Sequence, residues 1–426
     1  MLLTIYSTLT PLLYRATSLV SIFQPKLRTF FTVRQGLLDA LEKKMKELPK
    51  PVFRVWIHAA SVGEFEQARP VIAAIKKAQP DIDIVVSFLS TSGYLARKNY
   101  PEASAVFYLP IDTRSNARRL IATIKPDALL VMRYDFWPNY LKTAKKNGAT
   151  LILAAAVLQK NSLYFKPLVK TFYHSVFALF DKIFTVSTRD TTAFKEVFRC
   201  ESTETAGDPR FDQVLLRSLN TQRVAHLSPL FANHTVLIAG SIWQQDEQLL
   251  LPAWQELKHR PSLIIVPHEV NTDNMERLSR NLTQYNISFS KVSEGIEHFD
   301  PGNQVLIIDE TGYLAELYSI ASIAYVGGGF GVNVHNTIEP AVYGVPVLFG
   351  PRHHNSPEAE DLVECGGAAV VHNVEELREI FAMLTSNTNK RMQMGELAGA
   401  FVKSRTGATK KITDYILEQK HSQNNR

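Results

Sequence analysis

The side chains in this chain that can do chemistry stand just beyond apolar runs. In WIHAASVGEFEQARPVI an apolar run gives way to Ser61-Val62-Gly63-Glu64 and then to a helical pattern, so Glu64 falls in a strand-to-helix loop at or beside a helix N-terminus. A partly desolvated carboxylate there can take a proton from a hydroxyl group. The same spacing suits a plain helix-capping acid. In VMRYDFWPNY, Arg133 and Asp135 follow another apolar run, and Trp137-Pro138-Asn139 reads as a helix start. GDPRFDQV carries Arg210, a cation that can offset carboxylate or phosphate charge in a bidentate way, or remain a solvated linker charge.

The second half holds a denser constellation, IAYVGGGFGVNVHNTIEPAVYGVPVLFGPRHHN, from Ile323 to Asn355. Two short apolar runs end in glycine turns, and Asn336 to Tyr343 between them has helix character, which makes a strand–helix–strand crossover. Gly327, Gly328 and Gly329 carry no Cβ, so their backbone amides can approach a ligand such as a phosphate. Glu339, early in the helix, is placed to accept from ribose hydroxyls. A tight turn followed by a first-turn acid explains the same residues. Upstream, IDETGYLAELY reads as a strand and a helix whose first amides, Thr311 to Tyr313, can bind a phosphate, or as an ordinary capped helix start.

These residues need a frame. From Val52 to about Phe198, apolar runs alternate with amphipathic stretches of helical length, and a second alternation begins at Thr235. That pattern predicts an α/β chain with two doubly wound, Rossmann-like parallel sheets, two domains facing across a cleft. The linker is expected between Glu201 and Asn233, where strand signal is poor. No internal repeat or low-complexity segment interrupts the chain.

The 426 residues suffice for two cores, and 45% hydrophobic with 21% charged residues is ordinary for a folded α/β protein. A formal net charge of +6 favours acidic partners: nucleic acid is one candidate, an anionic membrane or a phosphorylated lipid another. No zinc-type Cys/His spacing, RNA-binding signature or lysine-rich tail argues for nucleic acid. Two cysteines, Cys200 and Cys365, point to a reducing compartment and away from a thiolate metal site. Met1 to Phe23 is largely apolar, interrupted by Pro11 and Arg15, and is followed by Lys26, Arg28 and Arg34. This order is wrong for a secretory signal and borderline for a span. It reads as a membrane-associating helix lying at the interface, with its basic residues on anionic headgroups. A helix docked on the first domain and a spanning helix are the other readings.

The combination GGG…HN..EP…G.PV..GP….N resembles the donor half of GT-B-type glycosyltransferases, most closely the 3-deoxy-manno-octulosonic acid (Kdo) transferases of Gram-negative bacteria. HAASVGE is similar to that family's H-x-x-S-V-G-E, whose glutamate, taken as the catalytic base, maps onto Glu64. VMRYDFWPNY resembles M-E-x-E-x-W-P-N but sets Arg133 and Asp135 where the family has glutamates, the first of them linked to transition-state stabilisation. GDPRFD resembles G-x-x-K-F-D, with Arg210 in place of the lysine. Gly240 and Ser241 match G-S-T. Val266 and Pro267 match V-P-R-H-P-E-R, with His268 standing where its arginine is expected. IDETGYLAEL resembles the stretch around D-T-M-G-E-L. The similarity runs from QPKLR to about Asn355, and its departures mark a divergent branch.

The resemblance implies an inverting glycosyltransferase with CMP-Kdo as donor and a lipid A precursor as acceptor, working in lipopolysaccharide core biosynthesis at the cytoplasmic face of the cell inner membrane. Catalytic roles would fall to Glu64, Arg210, Asp135 and Arg133. Donor contacts would come from Ser241, Pro267, His268, Thr311, Gly312, Tyr313, Gly328, Gly329, Asn336, Thr337, Ile338 and Glu339. No cofactor or metal is expected, because no Asp-x-Asp stands in a donor loop and a single phosphate needs less cation help. The implied layout is a membrane-associating segment over 1–35, an acceptor domain over 36–215, a donor domain over 216–405, and a C-terminal helix and tail over 406–426. The rivals are a GT-B enzyme using a UDP-sugar, such as a lipid glycosyltransferase or a sugar-nucleotide epimerase, and a non-catalytic lipid-binding protein on the same shell. A dinucleotide oxidoreductase is disfavoured because no GxGxxG opens the first βα unit.

Overall fold

A computed structural model describes residues 2–158 and 163–424. The chain divides into two compact units, Met1–Gln213 with Thr406–Arg426, and Val214–Arg405. The first unit is built on strands β1 Arg54–Ala59, β2 Asp83–Phe88, β3 Ala105–Tyr108, β4 Ala128–Met132, β5 Thr150–Ala156, β6 Lys182–Thr185 and β7 Thr203–Thr205. They form one all-parallel sheet in the order β3-β2-β1-β4-β5-β6-β7. Alternate residues enter opposite cores: Trp56, Leu129 and Leu151 one face, Val55, Leu130 and Ile152 the other. Burial on both faces is why central strands such as β4 and β5 read as near-continuous apolar runs.

The second unit repeats the plan with β8 Val236–Ile242, β9 Ser262–Pro267, β10 Phe289–Lys291, β11 Val305–Ile307, β12 Ile323–Val326, β13 Val347–Phe349 and β14 Ala368–Val370. Its order is β10-β11-β9-β8-β12-β13-β14, again all parallel. The sequence pattern misses β7 and β10. Both are edge strands of three residues, too short and too polar (Thr-Glu-Thr and Phe-Ser-Lys) to show a period.

The strand order reverses between β1 and β4 in the first sheet and between β8 and β12 in the second. At such switch points the loops after adjacent strands diverge and leave a crevice at the carboxyl ends, where ligands bind in doubly wound folds. Glu64 and Arg133 follow β1 and β4; Trp243 and Gly327 follow β8 and β12.

Two helices tie the ends of the chain to the first unit. Helix Ala408–Asn424 docks on helix Val62–Ala78 and adds Ala408, Ile412 and Ile416 to the core. Asp212 fixes its start by accepting from the amides of Gly407 at 2.6 Å and Thr409 at 2.8 Å. The N-terminal helix Leu2–Val20 is inverted in polarity. Ser7 and Thr10 face inward, and Ser7 Oγ donates to Asn139 Oδ1 at 2.6 Å. Ile5, Leu9, Leu12, Leu13, Leu19 and Val20 are exposed, and Phe23 just beyond is 85% exposed. Among the described residues no helix is long and apolar enough to cross a membrane.

Arg34 does not belong to a headgroup-facing cluster as the sequence suggests. Its guanidinium donates to the carbonyls of Leu109, Phe30 and Leu89 and lies 3.7 Å from the Phe30 ring. Arg15 and Arg28 remain exposed.

Candidate functional site

In the first unit the loops after β1, β4 and β7 converge. Ser61 caps helix Val62–Ala78, and the half-buried Glu64 in its first turn accepts from the Ala60 amide at 2.5 Å. The capping reading of Glu64 therefore holds in part, and the residue has more than that role to offer. Burial pushes its pKa up, the Ala60 amide opposes this, and the negative charge of Asp135 adds to the rise. A carboxyl with raised pKa is a stronger base once ionised.

Asp135 is anchored separately. Its Oδ2 lies 2.7 Å from His58 Nε2, and His58 Nδ1 lies 2.8 Å from Ser87 Oγ, which accepts from Trp56 Nε1 at 2.8 Å. A carboxylate only accepts, so Nε2 carries a proton toward Asp135. Although burial alone would raise the Asp135 pKa, the His58 hydrogen bond and charge hold it below the usual carboxylate range. Two neighbouring carboxyls are thus pushed apart, Glu64 up and Asp135 down. The sequence reading passed over His58, although it opens the HAASVGE motif.

Arg133 and Arg210 meet on one carboxylate. Asp208 Oδ2 accepts from Arg133 Nη2 at 3.2 Å and from Arg210 Nε at 2.9 Å, and Gln67 Nε2 lies 3.0 Å from both Asp208 oxygens. Gln67, one turn beyond Glu64, also accepts from Arg133 Nε at 2.7 Å. Arg133 adopts φ +58°, in the left-handed region, which turns the chain sharply after β4. Neither Asp208 nor Gln67 was singled out from sequence; a buried polar pair far apart in the chain leaves no local pattern.

In the second unit the triple glycine meets the tight-turn reading of the sequence. All three glycines are buried, and an added Cβ would strike neighbouring loops: Ser241 O from Gly327, Asn333 O from Gly328, and the Gly350 amide nitrogen at 2.5 Å from Gly329. The Gly328 amide is taken by Asp246 Oδ2 at 2.9 Å, and the Gly327 amide by Gly240 O at 2.9 Å. These two amides are therefore not offered to a phosphate. The glycines let loops after β8, β12 and β13 touch.

Several predicted donor contacts also shift. The stretch Asn336–Tyr343 shrinks to a single turn, Ile338–Ala341. Pro267, Thr337 and Ile338 are buried, and the Thr337 hydroxyl has no hydrogen-bond partner among the described residues. Asn336 is exposed, with its Oδ1 accepting from the Ile338 amide at 3.2 Å, and Glu339 is half-buried in the turn. The helix after Thr311–Tyr313 is also one turn, Leu314–Leu317, with little dipole to offer. Instead, Arg223 donates to Thr311 O at 2.8 Å and lies 4.6 Å from the Tyr313 ring, a cation beside exposed Thr311 and Gly312. Ser241, the penultimate residue of β8, adopts φ +54°. His268 is exposed and stacks on Trp243 and His335.

Among the described residues, the His353, His354 and Glu360 donors lie within 4.8 Å of one another, the spacing a metal ion would need. His354 Nδ1 is already 2.7 Å from Glu360 Oε1.

Residues 31–213 match the family model of 3-deoxy-D-manno-octulosonic-acid transferase (kdotransferase). Over most of its length the chain is similar to curated Kdo transferases, which are glycosyltransferases. Curated 3-deoxy-D-manno-octulosonic acid transferases share its length: that of Chlamydophila psittaci is 27% identical over 80% of this chain and 79% of its own, and that of Aquifex aeolicus is 29% identical over 76% and 83%. Solved structures share the fold. The UDP-GlcNAc 2-epimerase of Neisseria meningitidis superposes with a TM-score of 0.59 at 16% identity over 86% of this chain and all of its own. MurG of Acinetobacter baumannii gives 0.57 at 15% identity over 86% of this chain and 99% of its own. Both units thus share the α/β fold of GT-B-like proteins, and Arg133 and His268 depart from the Kdo transferase pattern.

Proposed function

We propose that this chain is a Kdo transferase that moves Kdo from CMP-Kdo to a hydroxyl of a lipid A precursor, with inversion and without a metal or other cofactor. The observation that carries the reading is Glu64. It stands at the switch point of the first sheet, half-buried, beside Asp135, with its pKa pushed up.

Ionised Glu64 accepts the proton of the acceptor hydroxyl as that oxygen attacks the anomeric carbon. The bond from that carbon to the phosphate oxygen breaks, and its electron pair leaves with CMP. Asp135, kept ionised by His58, maintains negative charge near Glu64 and so keeps it basic. Arg133 and Arg210, held by Asp208, supply positive charge in the first unit for anionic groups of the substrates. In the second unit Asn336, Glu339, Ser241, His268 and the Arg223–Thr311–Tyr313 corner are the residues assigned to the nucleotide.

The inverted polarity of the N-terminal helix supports action at a bilayer. A stripe of exposed Leu and Ile with Arg15 and Arg28 nearby suits an anionic inner-membrane surface at its cytoplasmic face. An enzyme whose acceptor is a phosphorylated lipid must reach that surface.

Incubation with CMP-Kdo and lipid A precursor tests the reading by product mass. Gain of Kdo on the lipid with release of CMP is expected. Calorimetric binding of UDP without binding of CMP would overturn the donor assignment.

A further inference from the structure

Three neighbouring strands of the second sheet, β9, β8 and β12, each deliver one aromatic ring from the loop at the carboxyl end. His268 lies 4.5 Å from Trp243 at 23° and 4.2 Å from His335 at 14°. Trp243 and His335 are 6.3 Å apart and 12° from parallel. The frame beneath them is rigid. Buried Asp246 accepts from the amides of Trp243 and Gly328, each at 2.9 Å, and from the Tyr325 hydroxyl at 2.8 Å. The His335 amide donates to Gly327 O at 3.2 Å, and the His268 amide to Ile242 O at 3.0 Å.

One hydrogen bond fixes the chemistry of His335. Trp243 Nε1 lies 2.8 Å from His335 Nε2. An indole N–H only donates, so Nε2 is the bare nitrogen and the ring proton sits on Nδ1. Protonating Nε2 would set two donors against each other. Burial, with His268 nearby, agrees by lowering the His335 pKa to about 4. The ring is neutral at pH 7. Its Nδ1–H has no hydrogen-bond partner among the described residues and is not among the buried unpartnered atoms, so it opens toward solvent.

We propose that Trp243, His268 and His335 form an oxyanion-recognition platform in which His335 presents a fixed Nδ1–H to the phosphate or the sugar carboxylate of the donor. The assignment to the donor rests on the CMP-Kdo reading above. A preoriented neutral donor in an aromatic frame binds an anion without reorganising and without titrating near neutrality. It also accounts for His268. Where the family pattern carries an arginine, this chain stacks a ring that holds His335 in place.

The test uses the full-length chain. Nitrogen-15 NMR of the ligand-free protein is expected to show His335 protonated at Nδ1, and Trp243→Phe, which keeps a ring but removes the N–H, is expected to mix the tautomers. By calorimetry, His335→Asn, whose amide N–H falls near Nδ1, retains affinity within about twofold. His335→Gln and His335→Ala lose about tenfold, the size of a hydrogen bond to a charged group. The probes are CMP, cytidine, free Kdo and inorganic phosphate. Loss with CMP and not with cytidine assigns the phosphate; loss with Kdo assigns the carboxylate. A wild type that binds inorganic phosphate through His335 but neither CMP nor Kdo sustains the platform and removes the donor reading. Protonation of His335 at Nε2, or equal affinity of wild type and folded His335→Ala for every probe, overturns the platform.

Discussion

The guanidinium of Arg133 donates to the buried carboxylate of Asp208 at 3.2 Å, and the side chain of Asp208 is 2% exposed. Arg210 shares that carboxylate, so one acid from the loop after β7 holds two cations in fixed positions. The arginine that departs from the family pattern is thus compensated by an acid 75 residues downstream.

Removing that acid should be costly. Asp208→Ala strips Arg133, Arg210 and Gln67 of a shared partner inside the fold, and a loss of about 3 kcal/mol is expected, in the range for breaking a buried pair. Urea unfolding measures it. A loss below about 0.5 kcal/mol, the usual surface value, would mean that the cluster is not coupled.

The same residue predicts a pH dependence. Burial works to raise the Asp208 pKa, but Arg210, then Arg133, hold it below the ordinary value. A depressed folded-state pKa contributes stability that is present above the unfolded pKa, near 3.9, and is lost as pH falls through the folded value. The stability gap between wild type and Asp208→Asn should therefore be full at pH 6 and shrink below about pH 4. A gap that grew toward acid would contradict the sign.

For Glu64 the sign is opposite. Its raised pKa means that the base protonates, and the rate falls, at a pH above the ordinary glutamate value near 4.3. Asp135→Asn removes a neighbouring negative charge and should move that acid limb to lower pH. A pH–rate profile on both proteins checks this; an unmoved limb would separate the two carboxyls.

The glycine loops predict a contrast in stability. Gly329→Ala places a Cβ against the Gly350 amide and should destabilise by about 1–3 kcal/mol, the cost of overpacking. Gly63→Ala lies in the first turn of a helix with nothing nearer than 4.0 Å and should be neutral or stabilising. Thermal melts of the two variants measure the difference.

On the exposed stripe of the N-terminal helix, Leu13 is 63% exposed. Leu13→Glu should leave unfolding unchanged, within about 0.5 kcal/mol. It should weaken sedimentation with phosphatidylglycerol vesicles by about tenfold, since burying one leucine is worth roughly 1.5–3 kcal/mol. Unchanged vesicle binding would remove the stripe from membrane contact.

The two parallel sheets were legible in the sequence because strands such as Ala128–Met132 and Leu237–Ala239 are buried on both faces and print unbroken apolar runs. Glu64 was legible because a local motif carries it. Asp208, Gln67, Trp243 and His335 were not singled out as site residues, since their roles come from contacts spanning 66 to 141 residues. The glycine loop stayed open between two readings, because a Cβ-free turn looks the same in sequence whether a phosphate or another loop lies against it. The burial of Ile338 and Thr337 was not legible, because a short helix beside a glycine turn gives no sign of which face the core takes.

The most direct measurement is transfer of labelled Kdo from CMP-Kdo to a lipid A precursor by wild type and by Glu64→Gln, which keeps the size of the side chain and removes its basicity. The account predicts that the folded variant loses at least about 100-fold in kcat, the low end for general base catalysis, while CMP affinity is unchanged. Full transfer by Glu64→Gln, or no transfer by wild type with CMP-Kdo, would contradict it.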